Sequence, residues 1–364
     1  MQNVTVVGAG VIGAAIAFQL ARSGASVTVI DAAGPAAQAS GASFGWINAS
    51  FYMDEDHFAL RSAGIEAHHR LAALLNTGKA RFKGCLCWEF DGPEMDAQAN
   101  TLRTLGYPVE DVDAGRFAEL EPNIARPPAR CLRFPGEGAV DAAELSRDLL
   151  QAATALGARV ITGVAVDGLA TRAGRVCGVD TALGMVPADQ VVIAAGTGSA
   201  ALLAPFDVSL PMLRRPGLIL QTRPLPPLLN HILVAPGQEL RQKRDGRILA
   251  PTAASHQGDN STDISERPDV LADLALKRVQ DLIPGVAVEW ETVTLAMRPV
   301  PEDGLPVIGR CGPDGAYVAT MHSGVTLAAL AGELVAAEML ENNPSGNAQT
   351  ALLAPYRPQR FATV

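Results

Sequence analysis

No apolar run in this chain reaches the roughly 18 residues that a membrane span requires. The best stretch, Leu327 to Leu340, is interrupted by Gly332, Glu333 and Glu338. Lysine is scarce: four in 364 residues, with a formal net charge of −9. That balance argues against a broad basic surface for nucleic acid. Cysteine is sparse and odd in number. Cys85, Cys87, Cys131, Cys177 and Cys311 are scattered, which excludes a disulfide framework and predicts reduced thiols in the cytoplasm. Cys85-Leu86-Cys87 puts two thiols on one face of a strand. A metal or redox pair is one reading, but metal sites use wider spacing and further ligands, so two small core residues is the plainer one. A leader peptide is not expected either, since a strand begins at residue 4. There is no internal repeat, low-complexity segment or flexible interdomain linker. What remains is 48% hydrophobic and 18% charged, enough for one large or two intimately joined domains.

The stretch from Val4 to Asp31 organises the rest. Val4-Thr5-Val6-Val7 reads as a buried parallel strand, and Gly8-Ala9-Gly10-Val11-Ile12-Gly13 as a tight turn. Ala14 to Arg22 reads as a helix, and Val27 to Asp31 as a second strand ending on an acid. The three glycines differ in what they allow. Gly8 turns the chain, Gly10 admits a pyrophosphate, and Gly13 lets the helix pack on the strand. The helix N-terminus offers N–H groups and a positive dipole end to phosphates. Asp31 follows Gly13 by 18 residues, where an acid can bind both ribose hydroxyls of an adenosine. An acid there also repels a 2′-phosphate, which argues against NADP. The strand, turn, helix, strand and acid together give the glycine triplet its meaning.

Further along, Ala39 to Trp46 is rich in small and hydroxyl residues that permit close backbone approach. Asp56 to Leu75 has helical spacing, with His68, His69 and Arg70 expected on its solvated side. From Gly78 to about Pro135 the pattern changes to short strands, Cys85 to Phe90 and Cys131 to Phe134, around a helix near Ala97 to Leu105. Asp141 to Gly157 is a helix capped by Asp141. Arg159 to Ile161 and Val164 to Leu169 are strands. Val191 to Ile193 runs into the small-residue turn Ala194 to Ser199. Pro211 to Trp290 is strand-rich, with a helix near Val270 to Ile283 and a mobile loop from His256 to Ser265. The last unit is a strand, a polar break at Met321 to Gly324, and a helix to Leu340. The first and last segments must share one nucleotide domain. The predicted fold is therefore α/β: a Rossmann-type domain of residues 1–77, 140–210 and 294–364, with an inserted antiparallel-sheet substrate domain of residues 78–139 and 211–293.

On five motifs in order, the chain resembles the D-amino-acid oxidase/glycine oxidase/sarcosine oxidase family of FAD-dependent amine oxidoreductases. They are Gly8 to Gly13 with Asp31, Ser40 to Gly45, Val191 to Gly196, Met297-Arg298-Pro299 through Ile308-Gly309, and His322-Ser323-Gly324. The resemblance spans the whole chain and implies FAD. The pyrophosphate would lie on the first helix at Gly10, Val11 and Ile12, with Asp31 on the ribose. Ser40, Gly41, Ala42 and Ser43 would follow the pyrophosphate and ribityl chain. Val166 would hold the adenine side, Ala195 and Gly196 would lie beneath the cofactor, and Ser323, Gly324, Val325 and Thr326 would surround the pyrimidine edge. Arg298 falls where glycine-oxidase-like members grip the substrate carboxylate. Members with covalent flavin carry a cysteine near Ala296-Met297; this chain has none there, so non-covalent FAD is expected. Tyr52 and Tyr317 are the only tyrosines that could match the family's active-site positions.

The resemblance implies oxidation of the C–N bond of an amino acid or N-substituted amino acid to an imine. Arg298 would clamp the carboxylate bidentately. His322, beside the final helix, could bond substrate, tune proton transfer or cap the turn. The electron acceptor is either O2 or a partner protein, in which case the chain is a dehydrogenase, as one subunit of a larger complex. A tRNA-modifying flavoenzyme is a third reading, opposed by the acidic charge and the four lysines. An inactive flavin-binding subunit is a fourth, opposed by the presence of Arg298. Homo- and hetero-oligomers both stay open.

Overall fold

The computed structural model describes residues 2–75, 79–254, 259–340 and 350–362. Asn3–Val7 (β1) carries three valines and a threonine, and all four are buried. A strand with no polar face belongs inside a parallel sheet. Accordingly β1 pairs in parallel with Ser26–Asp31 (β2) on one side and Gln190–Ile193 on the other. The six-stranded sheet runs Val307–Arg310, Ala316–Thr320, Gln190–Ile193, β1, β2, Arg159–Thr162. Only its edge strand, Val307–Arg310, is antiparallel to its neighbour. The helix Val11–Arg22 (α1) joins β1 to β2. It is buried almost throughout, because the helices Ala142–Ala155 and Gly324–Leu340 both pack on it. The second contact is close: a Cβ on Gly332 would stand 2.7 Å from the Ala15 carbonyl oxygen.

The helix Glu55–Leu75 (α2) lies on the outer side of Gly324–Leu340. This corrects the placing of His68. Its ring is buried, and Nε2 lies 2.7 Å from the Val325 carbonyl oxygen. At about 100° per residue His68 falls between Ile65 and Leu75 on the apolar arc of this helix, and its ring meets Gly324–Leu340 there. His69 and Arg70 do face solvent; Arg70 pairs with Glu333 of the facing helix at 2.6 Å.

A second sheet has eight strands, in the order Trp290–Met297, Pro216–Thr222, Ile248–Pro251, Gln238–Gln242, Ile232–Ala235, Cys85–Cys87, Arg130–Phe134, Glu110–Asp113. Every neighbouring pair is antiparallel except Ile232–Ala235 with Cys85–Cys87. The antiparallel sheet expected of the inserted region is thus present, with one parallel seam. It falls where two segments far apart in sequence meet, so no hairpin dictates their direction. Strand Trp290–Met297 also runs across the boundary expected at residue 294. Cys85 and Cys87 are fully buried in the core, and burial pushes the Cys87 thiol up to about 12. Part of the loop expected at His256 to Ser265 lies outside the described residues. No helix among the described residues is long and apolar enough to cross a membrane.

Candidate functional site

At the end of β1 the chain turns on Gly8, whose φ is +110°. A side chain there would meet the Ala194 carbonyl oxygen at 2.4 Å, and one on Gly13 would meet the Gly8 carbonyl oxygen at 2.0 Å. Helix α1 therefore rests directly on the turn. Its N-cap, Gly10, makes no side-chain cap and its first turn holds no acid. Ser40 Oγ instead accepts the Val11 N–H at 3.0 Å. Asp31, at the end of β2, does more than wait for a ribose. Its Oδ2 accepts the Ala9 N–H at 2.7 Å, and its Oδ1 accepts those of Ala33 and Gly34 at 2.9 and 2.7 Å. The acid thus ties the glycine turn to the segment after β2.

These groups border a cavity of about 590 Å³. Of the residues expected at the cofactor, Gly8, Gly10, Val11, Ile12, Asp31, Ser40, Ser43, Val166, Ala195, Gly196, Gly324 and Val325 line it, and His322 joins them. Five do not. Gly13 lies under the turn, and Gly41 packs on the Ala36 carbonyl, where a Cβ would be 2.3 Å from oxygen. Ala42, Ser323 and Thr326 border the next chamber instead. Thr326 is buried, its hydroxyl bonded to Asn48 N and the Trp46 carbonyl. A motif treats neighbouring residues as one continuous run, whereas a turning backbone points some of them into the cavity and others into the core or the next chamber.

The adjoining chamber measures about 420 Å³ and shares Ala39, Ser43, Pro299, His322 and Val325 with the first. Arg298 enters it just past the strand Trp290–Met297, its backbone N–H held by the Arg215 carbonyl. Its side chain is 15% exposed. Nη2 donates to the Asp259 carbonyl at 3.0 Å and to its carboxylate at 3.2 Å, while Nε is buried without a partner. Burial holds its pKa below the usual guanidinium value, against the pull of Asp259. Tyr52 lines this chamber, but Tyr317 lines neither. Tyr317 is buried in the sheet with its hydroxyl donating to Glu338 at 2.6 Å, which removes it from the site.

Sequence reasoning does not find Arg61 and His57, which line this chamber, or Glu137, which lies behind its wall residues Trp46 and Ser50. Arg61 of α2 is buried, and its guanidinium bonds the Asn48 carbonyl, the Asn48 amide oxygen and Ser323 Oγ. Burial lowers its pKa to about 10, partly opposed by Glu137. His57, one turn earlier, is pushed to about 3 by burial and then by Arg61, so it is neutral. Its Nδ1 accepts the Met53 N–H, leaving the proton on Nε2, which is buried and unpartnered. Glu137 is fully buried and accepts from Trp46 Nε1, Ser50 N and Tyr107 Oη; burial raises it to about 7. One signal was available. Residues 57, 61 and 68 fall on the same helical stripe as Phe58 and Ile65, so these polar side chains had to be buried.

The residues present fit FAD. An uncapped helix start behind a glycine turn suits a pyrophosphate, an acid at the neighbouring strand end suits a ribose, and the cavity continues to a second chamber. Comparison with known proteins agrees. The family described as FAD dependent oxidoreductase matches residues 3–338. A glycine oxidase of Geobacillus kaustophilus is 29% identical over 351 residues, covering 92% of each chain. A D-amino acid dehydrogenase of Rhizobium rhizogenes is 25% identical, covering 88% of this chain and 91% of its own. The crystal structure of glycine oxidase from Geobacillus kaustophilus superposes with a TM-score of 0.84 at 28% identity, covering 100% and 99% of the two chains. With the glycine turn, the acid and the family match in agreement, this chain belongs to the FAD dependent oxidoreductase family.

Proposed function

We propose that the chain oxidises the carbon–nitrogen bond of an amino acid or N-substituted amino acid to an imine, with FAD held non-covalently. The names of the relatives, glycine oxidase and D-amino acid dehydrogenase, support an amino-acid substrate. The observation that carries the reading is Arg298. It holds a buried N–H without a partner in a chamber that shares a wall with the cofactor cavity. A planar guanidinium grips a carboxylate through two parallel hydrogen bonds. The substrate carboxylate replaces Asp259 on that guanidinium, which turns the carbon bearing nitrogen toward the seam at Pro299, His322 and Val325.

When bound, FAD supplies the two-electron acceptor for the hydride that leaves this carbon. The nitrogen lone pair closes the C=N bond, and the nitrogen sheds its proton to water. The released imine is then hydrolysed to a carbonyl compound and an amine or ammonia. Trp46, Phe51 and Tyr52 keep the chamber poor in water. Arg61 holds the turn at Ser323 in place. The helix behind it has no acid in its first turn, so its N-terminus favours negative charge at the seam. None of the five cysteines borders either chamber, which supports a non-covalent cofactor.

The test is Arg298→Ala. Removing one partner of a desolvated charge pair costs about 2–5 kcal/mol. The variant is expected to lose roughly 30-fold to several-thousand-fold in kcat/KM for the best amino acid. FAD content and the flavin spectrum stay normal, and Arg298→Lys recovers only part of the loss. Turnover at the wild-type rate would reassign the chamber to a neutral amine. Peroxide release against turnover with an artificial dye then separates O2 from a partner protein as acceptor.

A further inference from the structure

Three of the chain's four lysines, Lys79, Lys83 and Lys243, border one cavity of about 560 Å³. It shares no lining residue with the two chambers above. It lies between the start of helix Ala142–Ala155 and the turn that follows strand Gln238–Gln242. Arg81, Lys83 and Arg244 line it; all three are exposed and make no ion pair among the described residues. Arg241 also borders the cavity and is only 6% exposed. Its Nε and Nη2 donate to the carbonyls of Phe44 and Val140, and no carboxylate bonds it. Lys79 is held by Asp148 and Lys243 by Asp141, at 2.6 and 2.8 Å.

Six cations thus stand against four acids, the lining Asp141, Glu144 and Asp245 and the Asp148 that holds Lys79, in a chain whose overall charge is −9. Like charges gathered round a concave wall repel one another and raise the local concentration of anions. A buried guanidinium without a bonded carboxylate is costly until an anion compensates it. The lining cations come from three separate stretches of chain: residues 79–83, Arg241 on its strand, and Lys243 and Arg244 in the turn after it. A carboxylate is planar and meets one of them, whereas phosphoryl oxygens radiate tetrahedrally and meet all three.

We propose that this cavity binds a small phosphate-class anion of at least two negative charges. The probe is inorganic pyrophosphate, titrated calorimetrically into the FAD-loaded enzyme at an ionic strength fixed with chloride. Full FAD occupancy keeps pyrophosphate out of the glycine turn. One site per chain is expected. The double variant Lys83→Glu/Arg244→Glu, altered only at exposed side chains, is expected to weaken that binding at least tenfold. Its FAD content and its turnover without pyrophosphate are expected to match wild type. The proposal is overturned by heat no larger than that of added chloride, or by unchanged affinity in the double variant. Tighter binding of succinate, or of an acidic peptide, than of pyrophosphate would overturn it too.

Discussion

Asp31 holds three backbone N–H groups before any cofactor arrives. The position 18 residues beyond Gly13 identifies it as a ribose ligand, but spacing carries no information about a second duty. Its removal therefore acts twice. Asp31→Ala is expected to weaken FAD binding by about 1.5–3 kcal/mol, or roughly 10- to 150-fold, through loss of charge-assisted bonds. It is also expected to lower the melting temperature of the apoprotein, since the Ala9 N–H loses its acceptor. Apoprotein prepared by acid precipitation, titrated with FAD and melted in parallel, measures both. An unchanged apoprotein melt would mean that the turn needs no acid to hold it. Arg61, His57 and Glu137 were not legible for a related reason. Arg61 finds Ser323 across 262 residues of sequence, and a polar residue on an apolar stripe announces burial without naming its partner.

The elements that read well from sequence are those whose signal is local. Asp141 accepts the N–H groups of Ala143 and Glu144, the cap that its position before the helix implied. The strand–turn–helix at Gly8 is likewise a local pattern of glycines and valines. Pairing between elements is not local, and spacing did not announce the one parallel seam beside Cys85–Cys87; the buried His68 was missed although its place on the helix announced burial. The contact between α1 and the helix Gly324–Leu340 gives a direct measurement. Gly332→Ala would press a Cβ to 2.7 Å from the Ala15 carbonyl, and backbone on both sides leaves little room to yield. It is expected to cost about 1–3 kcal/mol. Gly285→Ala is the control, because its Cβ would meet nothing within 4 Å. Equal melting temperatures for the two variants would show that the helices can separate without cost.

At the scale of the whole molecule, buried titrating groups set how stability varies with pH. Glu137 titrates at about 7 in the folded chain against an ordinary 4.5, because of its burial. Folding therefore favours the protonated acid. Stability is unaffected below about pH 4.5 and falls as pH rises toward 7, by about 3 kcal/mol in all. His57 and His68 act at the other end. Their folded values, about 3 and 4, lie below the ordinary 6.5, again through burial, so stability is lost as pH falls below 6.5. Glu137→Gln is expected to gain melting temperature relative to wild type between pH 5 and pH 8 and to keep the gain above that. A difference independent of pH would show that the carboxyl is already ionised at its folded position.

The order of strands also governs how the chain is made. β1 precedes the other strands of its sheet in the chain and sits in the middle of that sheet, with Gln190–Ile193 on one flank. At about 5–20 residues per second, that flank follows β1 out of the ribosome by roughly 10–40 seconds. The strand Ala316–Thr320, which completes the sheet beyond it, comes later still. For all that time the buried strand β1 has β2 alone beside it. An unpaired apolar flank over that interval makes the yield of folded chain sensitive to translation speed and chaperone supply.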